Sequence, residues 1–464
     1  MCRSAVTPRM QVRVVLFHSF LWALCGDFGD VARFMLLQQL DAGPWFGGKN
    51  SPVLMQTVDT VLKLTWGLGV PIALLLDRMR RPHLLERLGI VTSLICFALL
   101  AVTPTNLVLT PCSLIVGAEV GIVIWACTTD AMSIKARDRL AGHADAATLQ
   151  VRKLACVALG VSLASEFGGI AAQYNPNPRV VFGVSALMLL ACALMMPLLP
   201  EKDDDVDGAM PPPAIQTIKS IGSECGSWLL LSNAASAIPQ TNIAVMFFLT
   251  RVRGFTPMQL GTLMAATAAA TALASALAEK VGMVADVAPF WACLVSGVIA
   301  SFMAYTLVAL PDTSVEAESV PSWIEVGALP LQIAAQAAMS VPCCAAIARS
   351  LADRGERRAF VTTVVYLFPV LGSILSGPSA VLLCRVFGVS HGDPSGVIQI
   401  LQITATLVAL TILAIPSKPH DHSHSHSHAH DDDVDEGRAL VAVVPVVAAG
   451  ANHSGCGNSP HGAV

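Results

Sequence analysis

Twelve stretches of apolar residues, each long enough to cross a bilayer as a helix, alternate with short polar breaks. They run over 12–37, 53–76, 84–104, 107–133, 149–173, 179–199, 226–250, 259–280, 288–310, 325–349, 359–386 and 396–416. The breaks carry turn chemistry: Gly43-Pro44, Pro104-Thr105, Asn175-Pro176-Asn177-Pro178, Pro311-Asp312 and Gly392-Asp393-Pro394. The first stretch contains Asp27, Asp30 and Arg33 and lacks a small-residue cleavage site, so it reads as the first spanning helix and not as a removable leader. The pattern predicts an all-α membrane protein.

The basic residues orient these helices. With both termini on the cytoplasmic side, nearly every loop Lys and Arg falls on that side, and the opposite side holds only Lys49, Arg179, Arg251, Arg253 and Arg385. This is the bias of the positive-inside rule, and a missed helix would scramble it. The plasma membrane is the default expectation, with an organelle membrane as the alternative.

Residues 200–224 interrupt the apolar pattern with Glu201-Lys202-Asp203-Asp204-Asp205, Asp207 and Pro211-Pro212-Pro213. Such a charged, proline-rich stretch predicts a flexible linker between an N-terminal half (1–199) and a C-terminal half (225–416). Six helices, a linker and six helices is the layout of a major facilitator transporter. The residues from 417 to 464 predict a disordered cytoplasmic tail.

Composition agrees with this class. The chain has 464 residues, 54% of them hydrophobic and only 13% charged, with a mean hydropathy of +0.64. Soluble domains carry about 25% charged residues. The net charge of −4 gives no reason to expect a nucleic-acid partner. The 13 cysteines are scattered through apolar runs without zinc spacing and read as small packing residues. There is no nucleotide loop, no HExxH and no Ser/His constellation, so neither an enzyme nor a cofactor is expected. The expected partners are a small-molecule substrate and the lipid bilayer, with the protein acting as a monomer.

Three segments resemble the folate-biopterin transporter family of the major facilitator superfamily. Residues 239–261 read PQTNIAVMFFLTRVRGFTPMQLG, similar to that family's proline, aromatic helix end and Gly-Phe-Ser-Pro loop. Thr129-Asp130-Ala131-Met132 with Ala136-Arg137 resembles its Asp-Ala-Leu and Ala-Arg pattern. Met339-Ser340-Val341-Pro342 with Arg349, Gly355-Glu356 and Ala359-Phe360 resembles its Met-Pro, arginine and Gly-x-Glu-Ala pattern. The second helix departs from the family: Val70-Pro71 stands where a Lys-Pro pair is usual, with Lys63 earlier in the helix. Asp77-Arg78-Met79-Arg80-Arg81 partly matches a more general superfamily loop. The resemblance implies a secondary transporter of folate- or pterin-like solutes, with Asp130 a site residue.

Charges inside a membrane are costly, and each is a candidate for function. Asp27, Asp30 and Arg33 recur every three residues on one helix and suggest a substrate- or proton-coupling cluster; the alternative is that Arg33 simply neutralises Asp30. Asp59 and Lys63, four apart, fit an intrahelical ion pair or an anion-binding lysine. Glu119 and Glu166 lie near mid-span with no local cation, as a proton-coupled carrier would need; otherwise each is a hydrogen-bonded helix contact. Asn233, Gln240, Asn242, Gln332 and Gln336 could bind a flat hydrogen-bonding solute or bond between helices. Asp77, Arg81, Asp130, Arg137, Arg349 and Glu356 are gate candidates at the cytoplasmic end. His420, His422, His424, His426, His428 and His430 alternate with Ser, Asp and Ala and could bind a divalent metal weakly, or form a low-complexity tract without a role. Three readings stand: a folate- or pterin-like solute carrier, a divalent metal transporter with a metal-sensing tail, and a non-transporting receptor or scaffold.

Overall fold

The computed structural model describes residues 8–40, 52–76, 79, 82–104, 108–139, 146–175, 177–195, 246, 249–250 and 254–282. Among them it forms nine helices and no strands. These are α1 (Pro8–Asp27), α2 (Asp30–Gln39), α3 (Pro52–Trp66), α4 (Gly69–Leu76), α5 (Pro82–Val102), α6 (Leu109–Arg139), α7 (Ala146–Tyr174), α8 (Pro178–Met195) and α9 (Pro257–Gly282). α1 with α2 and α3 with α4 each form one broken span, so six stretches long and apolar enough to cross a membrane result: Val12–Gln39, Thr57–Leu76, His83–Val102, Leu109–Met132, Arg152–Tyr174 and Pro178–Met195. They fall on the first six spans expected from the sequence, and α9 falls on the eighth. The seventh and the ninth to twelfth expected spans, the linker and the histidine tail lie wholly or almost wholly outside the described residues.

The helix starts follow from local chemistry. α1, α3, α5, α8 and α9 all begin at proline, whose missing N–H costs nothing at the first helical position. Asn177 accepts a bond from the Arg179 N–H at 3.2 Å and so caps α8. α9 opens with a full capping box: the Gln259 N–H donates to Thr256 Oγ1 at 3.3 Å and the Thr256 N–H to Gln259 Oε1 at 2.8 Å. Gly254 supplies the left-handed turn before it, with φ of 68°. Phe255 and Leu260, the two positions of a hydrophobic staple, are both buried. The Gly-Phe-Thr-Pro motif that carries the family resemblance is therefore a helix-start signal in physical terms.

α5 shows how the helices meet both protein and lipid. Glu86, Ile90, Ser93, Phe97 and Leu100 are buried along one face, while Leu84, Leu88, Val91, Ile95, Leu99 and Val102 are exposed along the other. In water each exposed aliphatic would forgo on the order of 1–2 kcal/mol of burial, and soluble proteins rarely leave so continuous an apolar stripe uncovered. In hydrocarbon the same stripe is solvated.

Close backbone approach joins the helices. A Cβ on Gly89 of α5 would lie 2.7 Å from the Gly121 carbonyl oxygen of α6. A Cβ on Gly169 of α7 would lie 2.7 Å from the Gly261 Cα of α9. Ser162 adds a bond to the Ala265 carbonyl at 2.9 Å across the same α7–α9 seam. Small residues of this kind are what membrane helices use where lipid offers no hydrophobic drive to pack. The core between α1, α2, α5, α6 and α8 is filled by Phe97 and Phe182, stacked at 6.1 Å, and by Trp125.

Candidate functional site

The first two spans are both broken near their middles. α1 gives way to α2 at Phe28-Gly29, between Asp27 and Asp30, and α3 gives way to α4 at Gly67-Leu68, just after Trp66. Glycine lowers the helical propensity at each break. At the first, the Phe28 carbonyl presses against Gly168 of α7 where any side chain would collide. Broken helices at membrane depth are tolerated only inside protein or beside a cavity.

The charged residues gather at these breaks. The Arg33 guanidinium is 3.1 Å from Asp30 on its own helix and 3.7 Å from Glu119 of α6. The Trp66 indole N–H donates to the other Glu119 oxygen at 3.0 Å. Trp22 of α1 stands against Trp66 with ring centroids 6.2 Å apart, and its own N–H has no partner among the described residues. Asp27 lies within electrostatic reach of Asp30, Arg33 and Glu119. One turn before Trp66, Lys63 and Asp59 pair at 2.7 Å, and Asp59 lies within electrostatic reach of Asp30, Arg33 and Glu119. The site thus holds Asp27, Asp30, Asp59 and Glu119 against Arg33 and Lys63, an excess of acid, with two indoles beside them. All but the Trp pair are candidates named from the sequence.

One expectation needs correction. Glu119 does not lack a cation: Arg33 reaches it from another helix, a relation that spacing along one helix cannot reveal. For Glu166 the described contact is the alternative named from the sequence, a hydrogen bond between helices: the Thr262 hydroxyl of α9 donates to it at 3.3 Å. Lys153, inside the fifth expected span, was not singled out from the sequence. It is 4% exposed and bonded to Asp130, which sits half-buried at the far end of α6. Arg137 lies further along α6, with its side chain outside the described residues. Asp77, Arg81, Asn233, Gln240, Asn242, Gln332, Gln336, Arg349, Glu356 and the tail histidines His420 to His430 also lie outside them. Among the described residues no group of three His, Cys, Asp or Glu is arranged to hold a metal ion.

Sequence reading also missed a second buried pair. His18 of α1 and Glu86 of α5 meet at 2.8 Å. Their sequence separation of 68 hides the contact, although a histidine inside an apolar span was a visible signal.

The helical architecture is that of the major facilitator fold. The structure is similar to the human organic anion transporter MFSD10 (TETRAN), with a TM-score of 0.59 and 13% identity, covering 86% of this chain and 99% of that one. It is similar also to a single-residue variant of the E. coli fucose:proton symporter FucP, with a TM-score of 0.55 and 11% identity, covering 88% of this chain and 98% of that one. No family profile and no curated protein matches the sequence. With its apolar spans, the chain is a multi-pass integral membrane protein.

Proposed function

We propose that the chain is a secondary transporter that moves a small organic solute by alternating access. The observation that carries this reading is the meeting of two broken spans at a charged, indole-lined cluster near mid-depth. Discontinuous helices near mid-depth are where secondary transporters commonly place their solute and coupling-ion sites. The cluster of Asp27, Asp30, Arg33, Asp59, Lys63 and Glu119 would hold polar groups of the solute, and Trp22 and Trp66 would stack on a flat ring. The transporter character of the two structural neighbours supports the same class.

The finer reading is a folate- or pterin-like solute, on the strength of the three resembling segments. Pteridines offer paired donor and acceptor edges that carboxylates and amides match. Proton coupling would use the carboxyls of the cluster. Asp130 with Lys153 would latch one end of the bundle, alongside Asp77, Arg81, Arg137, Arg349 and Glu356.

The test is uptake of radiolabelled folate and biopterin, with zinc and iron run in parallel, in cells expressing the full chain. Saturable folate or pterin uptake is expected. Metal uptake alone would replace this reading with that of a metal carrier whose histidine tail gathers its cargo. No uptake of any solute in a wider panel would favour a receptor.

A further inference from the structure

A chain of three ionisable groups lies apart from the mid-span cluster, near the end of the bundle where Asp130 meets Lys153. Glu86 divides its two oxygens between two histidines: Oε1 is 2.8 Å from Nδ1 of His18, and Oε2 is 3.7 Å from Nδ1 of His83. His18 is 3% exposed and Glu86 1%, whereas the His83 side chain is 32% exposed. The three groups therefore run from the surface to the buried contact of Glu86 with His18.

Packing alone gives no reason for it. Both helices pack on α6 and α8, and aliphatic side chains at 18 and 86 would fill the same space without desolvating a carboxylate, an exchange that is often neutral or stabilising. Imidazole changes charge within the physiological range, and a carboxylate between two imidazoles can pass a proton from one to the other.

We propose that His83, Glu86 and His18 form a proton-binding site that loads from the water at this end of the bundle. In the loading step one proton from water attaches to His83, a proton passes from His83 Nδ1 to Glu86 Oε2, and the proton shared between Glu86 Oε1 and His18 Nδ1 moves onto His18. The net change is the gain of one proton, with no bond between heavy atoms made or broken. The 3.7 Å gap closes by rotation of the exposed His83 ring or through one water. Among the described residues the other ionisable groups near this end are Arg13 on α1, Arg87 on α5, Cys127 and Asp130 on α6, and Arg152, Lys153 and Cys156 on α7. On α8, Cys192 is ionisable, and Arg179 stands at the opposite end. Asp130 and Lys153 are bonded to each other.

The experiment is pH-difference infrared spectroscopy on the full-length protein in lipid nanodiscs, between about pH 8 and pH 5. The method reads carboxyl and imidazole protonation separately. The wild type is expected to gain a carboxyl or imidazole signal that Glu86→Gln and His18→Gln both lose. After a rapid pH drop, His83→Gln, altered at a partly exposed position and so expected to fold, should gain that signal at least about tenfold more slowly. A signal that survives Glu86→Gln would place the proton elsewhere and overturn the proposal. So would an unchanged loading rate in His83→Gln, a readout that stands even where the buried variants fail to fold.

Discussion

Arg33 on α2 reaches Glu119 on α6 at 3.7 Å while also holding Asp30 at 3.1 Å, so one guanidinium ties the break in the first span to the middle of the fourth. Arg suits this place because its planar fork presents several donors to two acceptors at once, which a lysine ammonium does less well. Removing it leaves two carboxyls without their cation at mid-depth. Arg33→Met is therefore expected to bring solute uptake down to background and to lower the thermal midpoint of the purified protein, in line with a cost of about 3–5 kcal/mol for breaking a buried pair. Arg33→Lys should restore folding more than uptake. Normal uptake in Arg33→Met at normal surface level would remove the cluster from the transport site.

The Asp130–Lys153 pair joins α6 to α7 at one end. Asp130→Asn keeps the shape and an acceptor beside Lys153 but removes the charge. We expect normal surface expression and no uptake, with partial recovery in the exchanged pair Asp130→Lys/Lys153→Asp. Unchanged uptake in Asp130→Asn would sink the gate assignment.

At the α7–α9 seam the glycines are fixed by geometry. Gly169→Val or Gly261→Val would drive a side chain into backbone, which cannot rotate away, and overpacking of this kind costs about 1–3 kcal/mol or more. Lower folded yield and a lower thermal midpoint are expected. Gly183→Ala is the matched control: its Cβ would meet only the Ala101 methyl, at 3.9 Å. Equal losses in Gly183→Ala and Gly169→Val would show that close approach is not the cause.

The capping box at Thr256 separates a structural role from a recognition role for the family-like loop. Thr256→Ala is expected to cost about 1 kcal/mol of stability and to leave the uptake KM unchanged. A raised KM with unchanged thermal midpoint would instead assign the loop to solute binding.

Deletion of 420–436 removes every histidine of the alternating tract. Uptake of the organic solute should be unaffected, while zinc binding by the purified protein should fall. Loss of solute uptake at normal surface level would give the tail a part in transport.

Several features were open to reading along the chain. The first six spans and the eighth emerge from hydrophobic runs bounded by proline and glycine, because lipid imposes a minimum length and leaves helix as the only economical way to satisfy the backbone. Charges within those runs, Asp27, Asp30, Arg33, Lys63 and Glu119 among them, stand out because nothing else in their surroundings is polar. The intrahelical pairs Asp30–Arg33 and Asp59–Lys63 follow from helical spacing alone.

Tertiary structure decided everything that crosses between helices. Glu119 looked alone because Arg33 comes from another span; Lys153 finds Asp130 only on a different helix; His18 and Glu86 are separated by the rest of the first span and all of the second. The breaks at Phe28-Gly29 and Gly67-Leu68 also needed the fold, since a glycine in an apolar run does not by itself end a helix. Periodicity reports which face of a helix is apolar, but in a bilayer both lipid and protein are apolar, so the sequence does not say which face meets which neighbour. Only the packed bundle, through its small-residue contacts and shared ion pairs, makes that assignment.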